Sequence, residues 1–342
     1  MNLQAMTRKQ LLRATAACAA GVGLAGNLRV ASARAAGPGT TTIVYDDFSD
    51  GGASYASKWF VFPIAEPEAL STRNFAGGAL HLQAVPFTLS FDFVLDHLKY
   101  LAVSLQQFPI PADGSLAVAA DIAVQTPGTT PGRVVPTTGR ILLEPQQAAA
   151  TLHLLDSTAT GQLFDWFISE HKAFALYERL FVGVGLDKGF TQITGAPNNN
   201  HGVNEPFEPK TFASQDFDIT PGSHRYEIRY SRGGGSGADL VEWLIDGAVR
   251  ARVRNVGVPL DVQNPDYYRD SRTITYPSQG PGELLKNSLT GFQIGHGIFT
   301  LVDEFPFNQF PPFVSIPTNE RIWGQGAAAT YDNFMVTTTA RA

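Results

Sequence analysis

The chain of 342 residues is rich in glycine, proline and phenylalanine (33, 22 and 23 residues) and contains only 3 methionines. That composition favours many short strands and long loops over helices. The net charge of −6 repels phosphate backbones and anionic lipid, so nucleic acids and membranes are disfavoured as partners.

Residues 1–35 have the features of an export signal. Arg8, Lys9 and Arg13 give a basic start, and an apolar stretch too short to span a bilayer follows. The segment "ASARAA" supplies a cleavage pattern of small residues, with the cut expected after Ala35. The segment "TRKQLLR" resembles a twin-arginine signal in which Lys9 replaces the second arginine, and an ordinary secretory signal is the alternative. Either route predicts a secreted, extracellular protein.

Cleavage at this point would leave a single domain, residues 36–342. It would remove Cys18, the only cysteine, and so exclude disulfides, thiolate metal sites and cysteine nucleophiles. It would also remove five basic and no acidic residues, which changes the net charge from −6 to −11. No later segment has roughly 18 consecutive apolar residues, so the sequence predicts no membrane insertion. We further expect a monomer.

Segments in which apolar and polar residues alternate recur along the whole chain. They run from "TTIVYDDF" and "ALHLQAV" through "ATLHLLD" and "HRYEIRYS" to "ATYDNFMVTT". An apolar period of two is typical of strands. Because no internal repeat and no linker interrupts the series, the simplest architecture is a single all-β sandwich of about a dozen or more antiparallel strands.

In the middle of the chain, "LFDWFISEHKAFALYERLF" (163–181) predicts a hairpin that turns at 170–172. In this register Trp166 lies on an apolar face, which we expect in the core. The opposite face would combine aromatic, acidic and basic side chains, namely Asp165, Phe167, Tyr177 and Arg179. That combination is typical of a cleft that binds a polar ligand with an apolar side, such as a sugar ring, and a solvent face with one incidental ion pair is the alternative.

Glu178 lies at a position where this pattern predicts an apolar residue. Among apolar neighbours its pKa would be raised, and it could then donate a proton near neutral pH. Alternatively it lies at the strand end and pairs with an arginine, Arg140 or Arg179.

A second hairpin is predicted where Asp246 and Gly247 interrupt "DLVEWLIDGAVRARVRN". A two-residue turn would place Trp243 opposite Arg250. The apolar pattern favours a three-residue loop instead, with Trp243 opposite Val249.

Long polar loops offer further ligand contacts. Candidates are His201 in one loop and a second loop with Tyr267, Tyr268, Arg269 and Tyr276. The segment "DEFPFNQFPPF" carries four phenylalanines between prolines and suits contact with another protein. No pair of histidines has metal-ligand spacing, and no phosphate-binding loop is present.

Three pieces of the sequence together resemble the concanavalin A-like lectin and glucanase superfamily. They are an early "YDDFSDG" followed by a strand tryptophan, a later "VEWLIDGAVRARV" and a final "ATYDNFMV". The resemblance implies a jelly roll of two curved antiparallel sheets, in which the first and last strands are neighbours. It also implies a carbohydrate or similar polyhydroxylated ligand on the concave face. In addition, "FALYERL" resembles a segment in a family of exported bacterial proteins of this fold that has no assigned function.

The chain departs from the glucanases of this superfamily at the catalytic strand. Their E-x-D-x-x-E or E-x-D-x-E signature is missing, so their catalytic residues cannot be assigned here. No cofactor is required. Many relatives hold a structural Ca²⁺ between the N-terminal segment and the last strand, which points to Asp47 and Asp332 as possible ligands.

These observations lead to one leading hypothesis and two alternatives. We expect an exported protein that binds a carbohydrate. The first alternative is a glycan hydrolase or lyase in which Glu178 or Asp165 acts as general acid or base. The second is a structural or adhesive surface protein.

Overall fold

The computed structural model describes residues 34–36, 39–62, 71–88, 97–135, 139, 141–156, 162–179, 211–214, 216–233, 239–254, 273–275, 289–302 and 318–341. At 34–36, 178, 179, 211–214, 254, 273–275 and 318 only the backbone is described. No helix within these ranges is long and apolar enough to span a bilayer.

Strands account for most of the described residues, as the alternating pattern predicts. In chain order they are β1 (Arg34–Ala36), β2 (Thr40–Asp46), β3 (Trp59–Val61), β4 (Ser71–Ala76), β5 (Ala79–Ala84), β6 (Leu98–Ser104), β7 (Phe108–Pro109), β8 (Gly114–Gln125), β9 (Arg133–Val134), β10 (Ile141–Leu142), β11 (Ala149–Leu155), β12 (Gln162–Ile168), β13 (Lys172–Arg179), β14 (Thr211–Ser214), β15 (Phe217–Asp218), β16 (Ser223–Ser231), β17 (Leu240–Ile245), β18 (Ala248–Arg254), β19 (Thr273–Thr275), β20 (Gly291–Phe299) and β21 (Ala327–Ala340). Three single-turn helices accompany them: α1 (Tyr55–Lys58), α2 (Glu144–Gln147) and a 3-10 turn at Thr318–Glu320.

Nearly all of these strands belong to two antiparallel sheets. Sheet I has the order β1-β2-β21-β8-β16-β17-β18, with β5 pairing with β21 and β4 with β5. Sheet II has the order β19-β14-β13-β12-β11-β20-β6-β3, with β15 and β7 added at β13 and β20. The predicted all-β jelly-roll sandwich is therefore confirmed.

The first and last strands are neighbours in sheet I. Thr40 of β2 pairs with Thr339 of β21, as the resemblance implies. The short strand β1 pairs with β2 and includes Ala35, so it spans the expected cleavage point.

The core lies between the two sheets and is aromatic. Trp166 of sheet II and Trp243 of sheet I are both fully buried there, together with Tyr226 and Tyr331. The rings of Trp166 and Tyr226 pack edge to face, with ring centres 5.8 Å apart. Burying aromatic side chains of this size is the main stabilising term of such a sandwich.

Sheet II differs from sheet I because both of its faces are buried at the centre. Every residue of β11, β12 and β20 is buried, whichever way its side chain points. Side chains on the face away from the core form their own apolar cluster, made up of Ala149, Phe167, Phe174, Leu176, Phe299 and Leu301.

The hairpin of β17 and β18 forms in a register that the sequence did not predict. The turn has two residues, Asp246 and Gly247, both with positive φ (51° and 78°). A bulge between Trp243 and Leu244 then shifts the pairing, so that Leu244 lies opposite Val249 and Trp243 lies opposite Ala251. The three-residue loop was wrong because a tight turn followed by a bulge also keeps apolar residues on one face.

Candidate functional site

The outer face of sheet I carries two cross-strand rows of polar and small side chains. The rows cross the four strands β4, β5, β21 and β8. The first row contains Asn74, His81, Thr330 and Ala123, and the second contains Thr72, Gln83, Ala328 and Gln125. We call this surface the sheet I groove.

The groove owes its depth to small residues between long ones. In the second row Ala328 lies between Gln83 and Gln125, so a methyl group forms the floor between two amide side chains. Glu170, Pro221 and Gly222 also line it. The volume of this open groove is about 570 Å³. That lies within the range of small-molecule binding sites.

Several polar side chains of the groove are available to a ligand. Those of Asn74, Gln83 and Gln125 are exposed and form no hydrogen bond within the described part of the chain. His81 is already engaged, because its Nε2 lies 3.2 Å from the carbonyl of Ala76 and its Nδ1 lies 3.1 Å from Oγ1 of Thr330. The free amides could donate and accept hydrogen bonds at the same time.

A different polar cluster lies on the face of sheet II that points away from the core. His153 of β11 pairs directly with Asp165 of β12, and its Nδ1 hydrogen-bonds Oδ1 of that carboxylate. When Nδ1–H of His153 donates to Asp165, Nε2 accepts a hydrogen bond from the hydroxyl of Thr151, with the two atoms 2.7 Å apart. We call this chain of three side chains the Thr–His–Asp relay.

The relay is closed off from solvent. Asp165 is 1% exposed, His153 2% and Thr151 0%. Burial raises the pKa of Asp165, and the hydrogen bond from His153 partly offsets that rise. A hydroxyl, an imidazole and a carboxylate in this order can hold and move a proton. A ligand would reach them only after surrounding residues had moved.

Two glycines of β20 make room for the relay. Gly295 lies opposite His153 and Gly297 lies opposite Thr151. A Cβ atom at Gly295 would lie 3.2 Å from Cδ2 of His153, and one at Gly297 would lie 3.2 Å from Oγ1 of Thr151 and 2.3 Å from the carbonyl of Tyr100. Side chains at these positions would crowd both the relay and the neighbouring strand.

The predicted binding face of the 163–181 hairpin is wrong, because the strands pair one residue out of the expected register. Asp165 lies opposite Leu176, and Tyr177 lies opposite Phe164. Tyr177 is therefore in the core, 1% exposed, with its ring centre 4.6 Å from that of Phe164. Asp165 and Tyr177 point to opposite faces of the sheet and cannot share a ligand.

Phe167 does share a face with Asp165, but it is not open to solvent either. It is 3% exposed and stacks on Phe174 with ring centres 5.0 Å apart. The aromatic side chain expected at a ligand therefore packs within the protein.

Other predicted site residues cannot be placed. The backbone of Glu178 and Arg179 belongs to β13, where they pair with Leu163 and Gln162, but their side chains lie outside the described structure. The loop candidates also lie outside the described residues: His201, Tyr267, Tyr268, Arg269 and Tyr276.

The two aspartates predicted to bind calcium lie near each other on the sheet I side. Burial, opposed by the backbone N–H of Asn333, raises the pKa of Asp332, and the charges of Asp121 and Asp47 raise it further. Asp47 already accepts hydrogen bonds from Ser49 at 2.7 and 3.1 Å. Among the described residues no group of three or more acidic or histidine side chains could hold a metal ion, so the calcium site stays a prediction.

Sequence reasoning missed His153, Thr151 and the whole sheet I groove. Alternation in "ATLHLLD" already places Thr151 and His153 on one face of a strand. It could not show that Asp165 is the cross-strand neighbour of His153, because that depends on register. The groove combines strands that are distant in the sequence, and no local pattern marks it.

Solved structures that resemble this chain include glycan-active and carbohydrate-binding proteins. An endo-1,3-β-glucanase from Streptomyces sioyaensis is 13% identical, with a TM-score of 0.41, over 91% of this chain and 100% of that one. A prokaryotic β-1,3-1,4-glucanase (lichenase) derived from a mouse hindgut metagenome is 12% identical, with a TM-score of 0.36, over 88% and 99%. The carbohydrate recognition domain of Emp46p is 6% identical, with a TM-score of 0.34, over 85% and 93%. These values are too low to transfer an activity or a site.

Sequence comparison gives a more specific result. No curated protein matches the chain. A match to a family of unknown function, DUF6081, extends over residues 71–340 and so covers most of the sandwich, including the groove and the relay. The chain therefore belongs to the family of unknown function DUF6081.

Proposed function

We propose that this is an exported carbohydrate-binding protein and that its ligand binds in the sheet I groove. The observation that carries the proposal is the pair of cross-strand rows, in which free amides flank an alanine floor. The groove replaces the hairpin face of Asp165, Tyr177 and Arg179 as the binding site.

The chemistry of the groove suits a polyhydroxylated ligand. Each sugar hydroxyl both donates and accepts, and the amides of Gln83 and Gln125 offer both partners. The Ala328 methyl group and the Pro221 ring give apolar contact for the C–H face of a sugar. Such a mixture of apolar surface with a few convergent polar groups is typical of ligand sites.

Glycan-array binding followed by calorimetry tests the proposal. We expect Gln83→Ala to weaken binding about fivefold, the effect of one lost hydrogen bond. Ala328→Leu should abolish binding, because its side chain fills the floor between the two amides. Gln106→Ala is the matched control, since Gln106 is partly exposed and lies outside the groove. Binding that survives Ala328→Leu unchanged would contradict the proposal.

Export is part of the proposal and has its own test. Protein recovered from the culture medium should begin at Ala36, whereas full-length protein retained in the cells would contradict it.

The Thr–His–Asp relay supports a second candidate function, acid–base catalysis on a glycan. One ring nitrogen of His153 hydrogen-bonds to Asp165 and the other to Thr151. In this arrangement the carboxylate orients the imidazole, which could act as a general base toward the hydroxyl. Release of reducing or unsaturated sugar ends should then be lost in His153→Gln and in Asp165→Asn, with the fold retained by circular dichroism. Glu178→Gln tests the other acid proposed from the sequence. Absence of any product from a panel of glycans would exclude this function.

A further inference from the structure

The lining of the sheet I groove has an uneven charge. Among its described lining residues Glu170 is the only carboxylate, and there is no lysine or arginine. The other polar members are amides, hydroxyls and the imidazole of His81. One end of an otherwise neutral groove is therefore negative.

Glu170 is held in place by its backbone while its side chain stays free. Its N–H donates to Oγ1 of Thr126 at 3.2 Å, and the Thr126 hydroxyl donates to Oε1 of Glu144 at 3.2 Å. The carboxylate of Glu170 itself has no hydrogen bond or ion pair with any residue that the structure describes. A ligand group can therefore bind it without displacing an internal partner.

A second carboxylate, that of Glu144, adds to the negative charge near Glu170. Glu144 is 3% exposed and accepts hydrogen bonds from Thr126 and from the backbone and Nδ1 of His171. All of these reach Oε1, and Oε2 has no partner among the described residues. His171 is the titratable group that faces this carboxylate, and its side chain is 55% exposed. A buried carboxylate close to the Glu170 turn adds to the local negative potential.

We propose, building on the carbohydrate-binding function above, that the groove selects amine-bearing sugars and rejects anionic ones. The primary ammonium of a glucosamine-type unit pairs with Glu170, while the neutral rows hold the rest of the chain. A uronate or a sulfated sugar meets the Glu170 carboxylate, and the described lining residues include no lysine or arginine to offset it. The net charge of −6 opposes anionic ligands further.

Calorimetry with three oligosaccharides of equal length tests the selectivity. The probes are a glucosamine oligomer, its N-acetylated form and an oligouronate, at about pH 6 where a primary amine is protonated. We expect the glucosamine oligomer to bind about fivefold more tightly than the N-acetylated one, as one partly exposed ion pair would give. We expect no binding of the oligouronate. In Glu170→Gln the fivefold preference should disappear, because the glucosamine oligomer and its N-acetylated form should then bind with equal affinity.

The control and the outcomes separate the selectivity from the site itself. Glu320→Gln changes the net charge by the same amount but lies outside the groove, so it should keep the fivefold preference. Equal binding of the two glucosamine probes in the natural protein would overturn the selectivity and leave the groove as a binding site. Preference retained in Glu170→Gln would do the same. Failure of all three probes, together with the glycan array, would overturn the proposed function instead.

Discussion

The outward faces of the two sheets use polar side chains in opposite ways. On sheet I the amides of Asn74, Gln83 and Gln125 are exposed and have no partner among the described residues. On sheet II, Thr151, His153 and Asp165 are buried and bond to one another. Gln125 lies on the central strand β8 of sheet I, just as the relay lies on the central strands β11 and β12 of sheet II, so a central position alone does not bury a polar side chain.

The contrast separates two roles of polar residues in one sandwich. Side chains that are already paired and buried contribute to stability, because removing one partner leaves the other buried without a hydrogen bond and lowers the free energy of unfolding. Side chains that are exposed and unpaired contribute little to stability and are free to bind a ligand. The two faces should therefore respond differently to substitution, and the following predictions test this in order of expected effect.

The largest effect is expected from breaking the relay. Asp165→Ala leaves a buried imidazole without its carboxylate and should lower the free energy of unfolding by about 3–5 kcal/mol. On the outer face of sheet I, Asp121 pairs with Arg225 at 2.8 Å and both are partly exposed, so Asp121→Ala should cost less than about 1 kcal/mol. Urea denaturation of both variants measures the difference. Equal losses would contradict the contrast between the faces.

The next largest effect on stability is expected from His296, which lies in the core between the two sheets. Burial lowers its pKa well below the usual value, and the positive charge of Arg73 adds to this. Below about pH 6.5 this histidine is therefore protonated in the unfolded chain and neutral in the folded protein. The free energy of unfolding is fully present above that pH, and it falls by about 1.4 kcal/mol for each pH unit below it. At pH 5 we expect a loss of about 2 kcal/mol relative to pH 7, absent in His296→Gln.

His224 provides a control of opposite sign for this pH dependence. Its hydrogen bond to Asp246, 2.6 Å long, raises its pKa. The stability it contributes is present below its unfolded pKa and is lost as the pH rises, so His224→Gln should remove a contribution at low pH. A His296→Gln variant with the same pH profile as the natural protein would contradict the assignment.

Adding Ca²⁺ tests the calcium site that the sequence predicts on the sheet I side of the protein. If Asp47 and Asp332 bind Ca²⁺ as the sequence predicts, an ion concentration tenfold above Kd should stabilise the protein by about 1.4 kcal/mol. The gain should disappear in Asp332→Asn and remain in Asp218→Asn, since Asp218 is exposed and pairs with Lys172 elsewhere. No change in the natural protein would rule the site out.

The smallest effect on stability is expected in the groove. Gln83→Ala should change the free energy of unfolding by no more than about 0.5 kcal/mol, because its side chain is exposed and unpaired in the described structure. Gln162 on sheet II is fully buried and accepts a hydrogen bond from Tyr177, so Gln162→Ala should cost about 1–3 kcal/mol. Thermal unfolding compares the two, and a larger loss at Gln83 would be inconsistent with an open binding face.

The sequence predicted the architecture because the alternating pattern identifies a strand even when its pairing register is wrong by one residue. The alternation at Thr40–Asp46 and Ala327–Ala340 is long, and the neighbouring positions of these strands follow from the superfamily resemblance. Burial of Trp166 also follows from alternation alone, because it does not depend on which residue lies opposite.

The candidate site could not be predicted because it depends on register and on distant strands. A shift of one residue moved Tyr177 into the core and separated it from Asp165. In the β17–β18 hairpin a bulge between Trp243 and Leu244 absorbed the same kind of shift and kept Trp243 inside. The groove needs β4, β5, β21 and β8 side by side, and only the folded chain brings these together.

Chemical-shift mapping with a binding oligosaccharide is the most direct test of the central claim. We expect shifts at the amides of Gln83, Gln125 and Ala328, with Thr151, His153 and Asp165 unchanged. Shifts confined to β11 and β12 of sheet II would contradict the account and place the ligand at the relay.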